Sequence, residues 1–113
     1  METLKHIPIG ARRSVRPDEI VLLVADVNYT MILLSNGAKL LVATTLKELE
    51  KRFMNCESFF RVHKYYLLNL SYIRDYNLNS DEGYVQMKYD YKAVVSRRKK
   101  SAFKKRLALI ACE

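Results

Sequence analysis

The chain has 113 residues, half of them hydrophobic, and its 20 Lys and Arg against 12 Asp and Glu leave a net charge of +8. That length suits one domain over residues 1–113 with one modest core, and the apolar content excludes an intrinsically disordered chain. The longest aliphatic run, Ile20 to Ala25, stops at Asp26, and Lys5, His6, Pro8 and Arg12-Arg13 break the N-terminal apolar positions, so neither membrane insertion nor a signal peptide is expected.

In chain order, Glu19 to Val27 is rich in aliphatic and β-branched residues, as a largely buried strand is. Asn28 interrupts the pattern and Tyr29 to Leu34 resumes it. Ser35-Asn36-Gly37 then marks a hairpin, since Asn and Gly both tolerate positive φ, and Lys39 to Ala43 is the returning strand. Thr45 and Glu48 have capping-box spacing ahead of an apolar stripe of Leu46, Leu49 and Phe53, which predicts a short helix. Strand character returns at Phe59-Phe60-Arg61-Val62, at Tyr66 to Leu70, and at Tyr72 to Leu78. A turn over Asn79-Ser80-Asp81-Glu82-Gly83 follows. Tyr84 to Tyr89 alternates with period two, and Ala93-Val94-Val95 pairs back across Asp90-Tyr91-Lys92. Ser96 is placed to cap a final helix whose apolar face carries Phe103, Leu107 and Ile110. The expected fold class is mainly β: several small antiparallel sheets, one short inserted helix and a basic C-terminal helix.

The charge is concentrated. Lys92, Arg97, Arg98, Lys99, Lys100, Lys104, Lys105 and Arg106 lie between Tyr91 and Cys112 with no acidic residue among them, and these eight equal the whole surplus. Arg12, Arg13 and Arg16 form a second basic cluster. Such concentrations attract polyanions through phosphate contacts and counterion release, although a solvated helix face or solubilising tail has the same composition.

Catalytic readings find little support. Cys56 and His63 lack a third orienting group, and Glu57 beside the cysteine opposes thiolate formation. Three glycines make no phosphate loop, and no His, Cys or carboxylate residues have metal-ligand spacing, so no enzyme activity, metal or cofactor is expected. Two cysteines, Cys56 and Cys112, are too few for a disulfide framework and fit a reducing, cytoplasmic setting.

Thr45-Leu46-Lys47-Glu48-Leu49-Glu50, then Phe59-Phe60-Arg61-Val62-His63-Lys64, then Tyr66-Leu67-Leu68-Asn69-Leu70 with Tyr72-Ile73 closely resemble the signature of the LytTR family. Val95-Ser96-Arg97-Arg98 resembles a second family block, and Glu19-Ile20 followed by Asn28-Tyr29-Thr30 a third. The resemblance runs from about Arg16 to Leu107. It implies an output domain of LytR/AlgR/AgrA-type response regulators, a bacterial transcriptional regulator that binds double-stranded DNA at direct repeats as a dimer, with RNA polymerase as a further partner. It implies contact loops that enter successive major grooves: Asn28, Tyr29 and Thr30 in the first; His63, Lys64 and Tyr65 in the second; Arg97 and Arg98 in the third, with Lys99 and Lys100 continuing into the basic helix. A receiver domain of the kind such regulators carry has no room in these 113 residues.

The residue chemistry is consistent with those roles. The resemblance makes Arg98 the foremost base-edge candidate, and arginine's planar fork, which can bind guanine O6 and N7 together, suits that role. Lys64 is a point charge for a phosphate or a guanine acceptor, and Asn28 can pair with adenine or a phosphate oxygen. Three of the contact-loop residues have a plainer alternative: Asn28 as a strand break, Tyr29 as half-buried packing, His63 as a tie between loop and backbone. For Lys64 and Arg98 packing is a weak alternative, because charged residues are seldom placed at loop junctions for packing. Asn69, amid apolar neighbours, reads as a satisfied structural side chain. Tyr65 departs from the small hydroxyl residue usual in the family, and either donates to phosphate or turns to the core. A different class of function also fits the β scaffold: an RNA or single-strand binder, or a protein-interaction module, using Tyr65, Tyr66, Tyr72, Tyr76, Tyr84, Tyr89 and Tyr91 as a stacking platform.

Overall fold

The structure, a computed structural model, describes residues 5–79 and 82–111. It has ten strands and two α-helices in the order β1 (Ile7–Gly10), β2 (Arg13–Val15), β3 (Ile20–Asp26), β4 (Tyr29–Leu34), β5 (Lys39–Val42), α1 (Leu46–Arg52), β6 (Phe59–His63), β7 (Tyr66–Asn69), β8 (Ile73–Asn77), β9 (Gly83–Met87), β10 (Lys92–Val95) and α2 (Lys100–Ala111). All pairings are antiparallel, in a β1-β2 hairpin, a five-stranded sheet ordered β5-β4-β3-β7-β6, and a three-stranded sheet ordered β10-β9-β8.

The five-stranded sheet is the middle layer. Ile20 and Leu23 join a core with Ile9, Leu49 and Phe53 beneath the β1-β2 hairpin and α1. Val21 and Leu22 join a second core with Val85, Met87 and Phe103 under the three-stranded sheet and α2. All four β3 residues are inaccessible to solvent, so the continuous apolar run is explained by burial on both faces.

Most expected elements are present within one or two residues. The N-terminal hairpin is the exception. Its strands are four and three residues long, and its turn residues, Ala11 and Arg12, both take positive φ (54° and 58°) without Gly or Asn at either position. Tertiary contacts hold it: Ile9 and Val15 are buried, the Thr44 hydroxyl donates to the Ile9 carbonyl at 2.7 Å, and Arg52 donates to the Pro8 carbonyl at 2.9 Å. Gly10 precedes the turn at φ 116°, pressed against the Thr44 side chain, so a larger residue there meets both backbone strain and a clash.

Other differences are local. In the β4-β5 hairpin only Gly37 takes positive φ (91°), because the loop has three residues, with Leu34 receiving the Gly37 N–H and donating to the Ala38 carbonyl. Thr45 caps α1 by accepting the Glu48 N–H at 3.2 Å, while the Glu48 carboxylate pairs with Arg52 at 3.3 Å. Ser96 precedes a short 3-10 turn, Arg97–Lys99, and its side chain makes no capping bond; its carbonyl accepts the Lys99 N–H instead. Leu70–Tyr72 is a further 3-10 turn between β7 and β8. Ser80 and Asp81 of the expected turn, and Cys112, lie outside the described residues. Among the described residues no helix is long and apolar enough to cross a membrane.

Candidate nucleic-acid interface

Three chain segments distant in sequence meet along one border of the five-stranded sheet. The first is the two-residue turn Val27-Asn28 between β3 and β4, where Asp26 pairs with Tyr29. The second is the Lys64-Tyr65 turn between β6 and β7. The third is the Arg97–Lys99 turn after β10. Backbone hydrogen bonds fix their relative positions: Ala25 N–H donates to the Tyr65 carbonyl, and Ser96 N–H donates to the Val62 carbonyl, both at 2.9 Å.

Between the second and third segments opens a groove of about 500 Å³, lined on one side by Arg61, His63 and Lys64 and on the other by Ser96, Arg98 and Lys99. Helix α1 adds Lys47 and Glu50. Glu50 is the one acidic lining residue, and its carboxylate is engaged by Arg61 at 2.6 Å. Lys47, Lys64, Arg98 and Lys99 therefore bring positive charge to a groove whose one acidic lining residue is already engaged by Arg61. Lys64 and Arg98 are exposed, and Lys99 is half-buried over the Phe60 ring.

Arg61 organises the second segment. Beyond Glu50, its guanidinium donates to the carbonyls of His63 at 3.0 Å and Lys64 at 2.6 Å, so one side chain holds both ends of the bend. Sequence reading gave Arg61 no separate role, and it overlooked Lys47. The available signal was a charge in an otherwise aromatic and aliphatic strand, 11 residues after an acid on a helix. Of the two roles set out as alternatives for His63, the structure shows the tie between loop and backbone. Its Nδ1 accepts the Tyr65 N–H at 3.2 Å, and its ring also faces the groove. Burial, then the charges of Lys64 and Arg61, hold its imidazole below its ordinary pKa, which favours the neutral form able to accept that bond.

Tyr65 is exposed and turned away from the core, with the Lys64 ammonium 5.1 Å from its ring centre. Asn28 and Tyr29 are also exposed, on the turn that adjoins Tyr65. Thr30, expected beside them, is fully buried: strand alternation turns it inward, and its hydroxyl donates to the Thr44 carbonyl at 2.7 Å. It is a strut beneath the turn. Arg97 is exposed but does not line the groove, and Lys100 runs its stem along Gly83, where an added Cβ would meet Lys100 Cε at 3.0 Å.

On α2, Lys104 and Lys105 are exposed, whereas Arg106 is turned inward, donating to the carbonyls of Glu57 at 2.9 Å and Phe59 at 3.1 Å. Asn69 is buried and satisfied, donating to the Ile20 carbonyl at 2.8 Å and accepting the Ser71 N–H at 3.1 Å. Burial pushes the Cys56 thiol above its ordinary pKa, which works against its use as a nucleophile. The tyrosines are scattered rather than aligned: the Tyr72 and Tyr89 hydroxyls donate to the carbonyls of Asp18 and Ser35, Tyr76 sits edge-on to Phe103, and Tyr84 lies under Lys92.

A search among curated proteins finds no match for the chain. A solved structure from Bacillus cereus, described as the LytTr DNA-binding domain of a methyl-accepting/DNA response regulator, superposes with a TM-score of 0.73. That match covers 95% of this chain and 98% of the other at 18% identity, a likeness of fold. The family model for the LytTr DNA-binding domain matches residues 11–108. With nearly the whole sheet assembly and all three border segments inside that match, the chain belongs to the LytTR family of DNA-binding domains.

Proposed function

We propose that this domain is the duplex-reading part of a bacterial transcriptional regulator in the cytoplasm, recognising a specific sequence through its border turns. The observation that carries this reading is the convergence of Lys64 and Arg98, both exposed, on a basic groove whose acid is already neutralised by Arg61. Arg98 reads a guanine edge, Lys64 a second acceptor or a phosphate, and Asn28 on the adjoining turn an adenine or phosphate oxygen. Tyr65, Lys47 and Lys99 serve the phosphates that flank those bases. Arg97 and the exposed Lys104 and Lys105 add affinity that is independent of sequence. Two copies on direct repeats, acting as the output of a response regulator and engaging RNA polymerase, complete the proposal at the level of the whole regulator.

The test is site selection from random duplexes, followed by competition with duplex and single-stranded DNA at two salt concentrations. A selected duplex should outcompete the matching single strand; the opposite preference overturns the reading. Arg98→Ala is expected to weaken the selected site by about 1–3 kcal/mol and to relax selectivity at one base pair. Neutralising Lys104 and Lys105 together is expected to lower affinity evenly across sequences and to flatten the salt slope by about two. A loss confined to one sequence would assign these lysines to base reading instead.

A further inference from the structure

The turn between β3 and β4 carries a side chain for which the fold provides no packing. Val27 is 96% exposed at its tip. It also sits at φ 44°, a left-handed conformation that glycine or asparagine adopts readily and a β-branched residue resists. An apolar residue that is both strained and solvated gains little inside the protein, and such outliers concentrate where a ligand is met.

The charge around the tip narrows the ligand. From Pro17 to Ala38 the sequence holds no Lys or Arg, and Asp26, immediately before Val27, is exposed. A carboxylate and an isopropyl group cannot bind phosphate, and the carboxylate repels it. The turn is nevertheless fixed against the second border segment: Ala25 is hydrogen-bonded to Tyr65, and Asp26 and Val27 share a cleft of about 260 Å³ with Tyr65 and Tyr66. A duplex lying on the basic groove beside Tyr65 therefore meets Val27 through a base edge, and any phosphate contact of this turn falls to Asn28. The apolar feature on a major-groove edge is the thymine C5-methyl group.

We infer that Val27 is a specificity-determining residue whose methyl groups pack on the C5-methyl of one thymine in the recognised site. The inference rests on the duplex-reading function proposed above and adds an uncharged contact to it. Burying a methyl pair of this kind corresponds to roughly a three- to fivefold change in affinity.

The experiment uses the selected duplex and replaces each thymine in turn by uracil, which deletes the methyl and leaves base pairing intact. At one position the native protein should lose roughly three- to fivefold in affinity. Val27→Ala and Val27→Asn should bind thymine and uracil equally there while keeping their sensitivity at other base pairs, and Val27→Ile should keep the preference. Val27→Ala and Val27→Asn relieve the strained tip, so their circular dichroism and melting should match or exceed those of the native domain. If uracil has no effect anywhere, or the same effect in Val27→Ala as in the native protein, the inference fails while duplex reading stands. If no duplex sequence is selected at all, both fail.

Discussion

Replacing Phe103 by alanine is expected to cost about 3–5 kcal/mol of stability, the range for deleting a fully buried aromatic side chain. Phe103 is completely inaccessible, lies 5.9 Å from the Phe60 ring and 6.0 Å from the Tyr76 ring, and shares a core with residues of both larger sheets. It fastens α2 across the junction between β6 and β8. Leu107 and Ile110 extend the same face but are only partly buried, so they cannot compensate. Against a total stability of about 5–15 kcal/mol for a domain, this loss should lower the melting temperature by more than about 10 °C and shift the urea midpoint with little change in slope. Because the Arg97–Lys99 turn leads directly into α2, weaker DNA binding should accompany the melting shift. A loss below about 1 kcal/mol would mean that α2 is held by its flanking contacts rather than by Phe103.

Arg61→Met should affect the interface from within. The substitution keeps most of the apolar stem but removes the donors that hold the His63 and Lys64 carbonyls, and it frees the Glu50 carboxylate into the groove. Charge-assisted hydrogen bonds of this kind contribute about 1.5–3 kcal/mol each when shielded, less where water competes. The Arg61 side chain is 18% exposed and the Glu50 side chain 44%, so a net loss of about 2–3 kcal/mol is expected for the set. DNA affinity should fall about tenfold or more, because Lys64 loses its fixed direction and an unpaired acid now faces phosphate. Arg61→Lys should rescue little, since a single ammonium cannot serve three acceptors in fork geometry. Adding Glu50→Gln to Arg61→Met should recover part of the affinity but not the order of the turn, measured as amide exchange at Tyr65 and Tyr66. Full recovery by the double variant would reduce the role of Arg61 to charge neutralisation.

Both predictions turn on contacts that join segments far apart in sequence, and this separates what could be read directly from what could not. Strand β3 was legible because a run of aliphatic residues has few other uses in a chain of this length. Helix α1 was legible because Thr45, Leu46, Leu49 and Phe53 combine a cap with helical spacing. The ordered motif blocks identified the family, and the charge count indicated a polyanion partner. Those signals are local or cumulative along the chain.

The β1-β2 hairpin was not legible, because its turn residues Ala11 and Arg12 carry no turn preference of their own and the hairpin is held by Thr44 and Arg52 closing on its carbonyls. The inward direction of Thr30, the capture of Arg106 by the Glu57 and Phe59 carbonyls, and the outward direction of Tyr65 were hidden for the same reason. Each depends on which neighbour lies within about 3 Å for a hydrogen bond, a distance set only when the layers assemble. Sequence alone therefore determined the family, the fold class and the sign of the partner's charge. The tertiary structure decided which basic residues share a groove, that Arg61 holds its loop, and that a solvated valine stands at the tip, because side-chain direction is fixed by packing and hydrogen bonding across the fold.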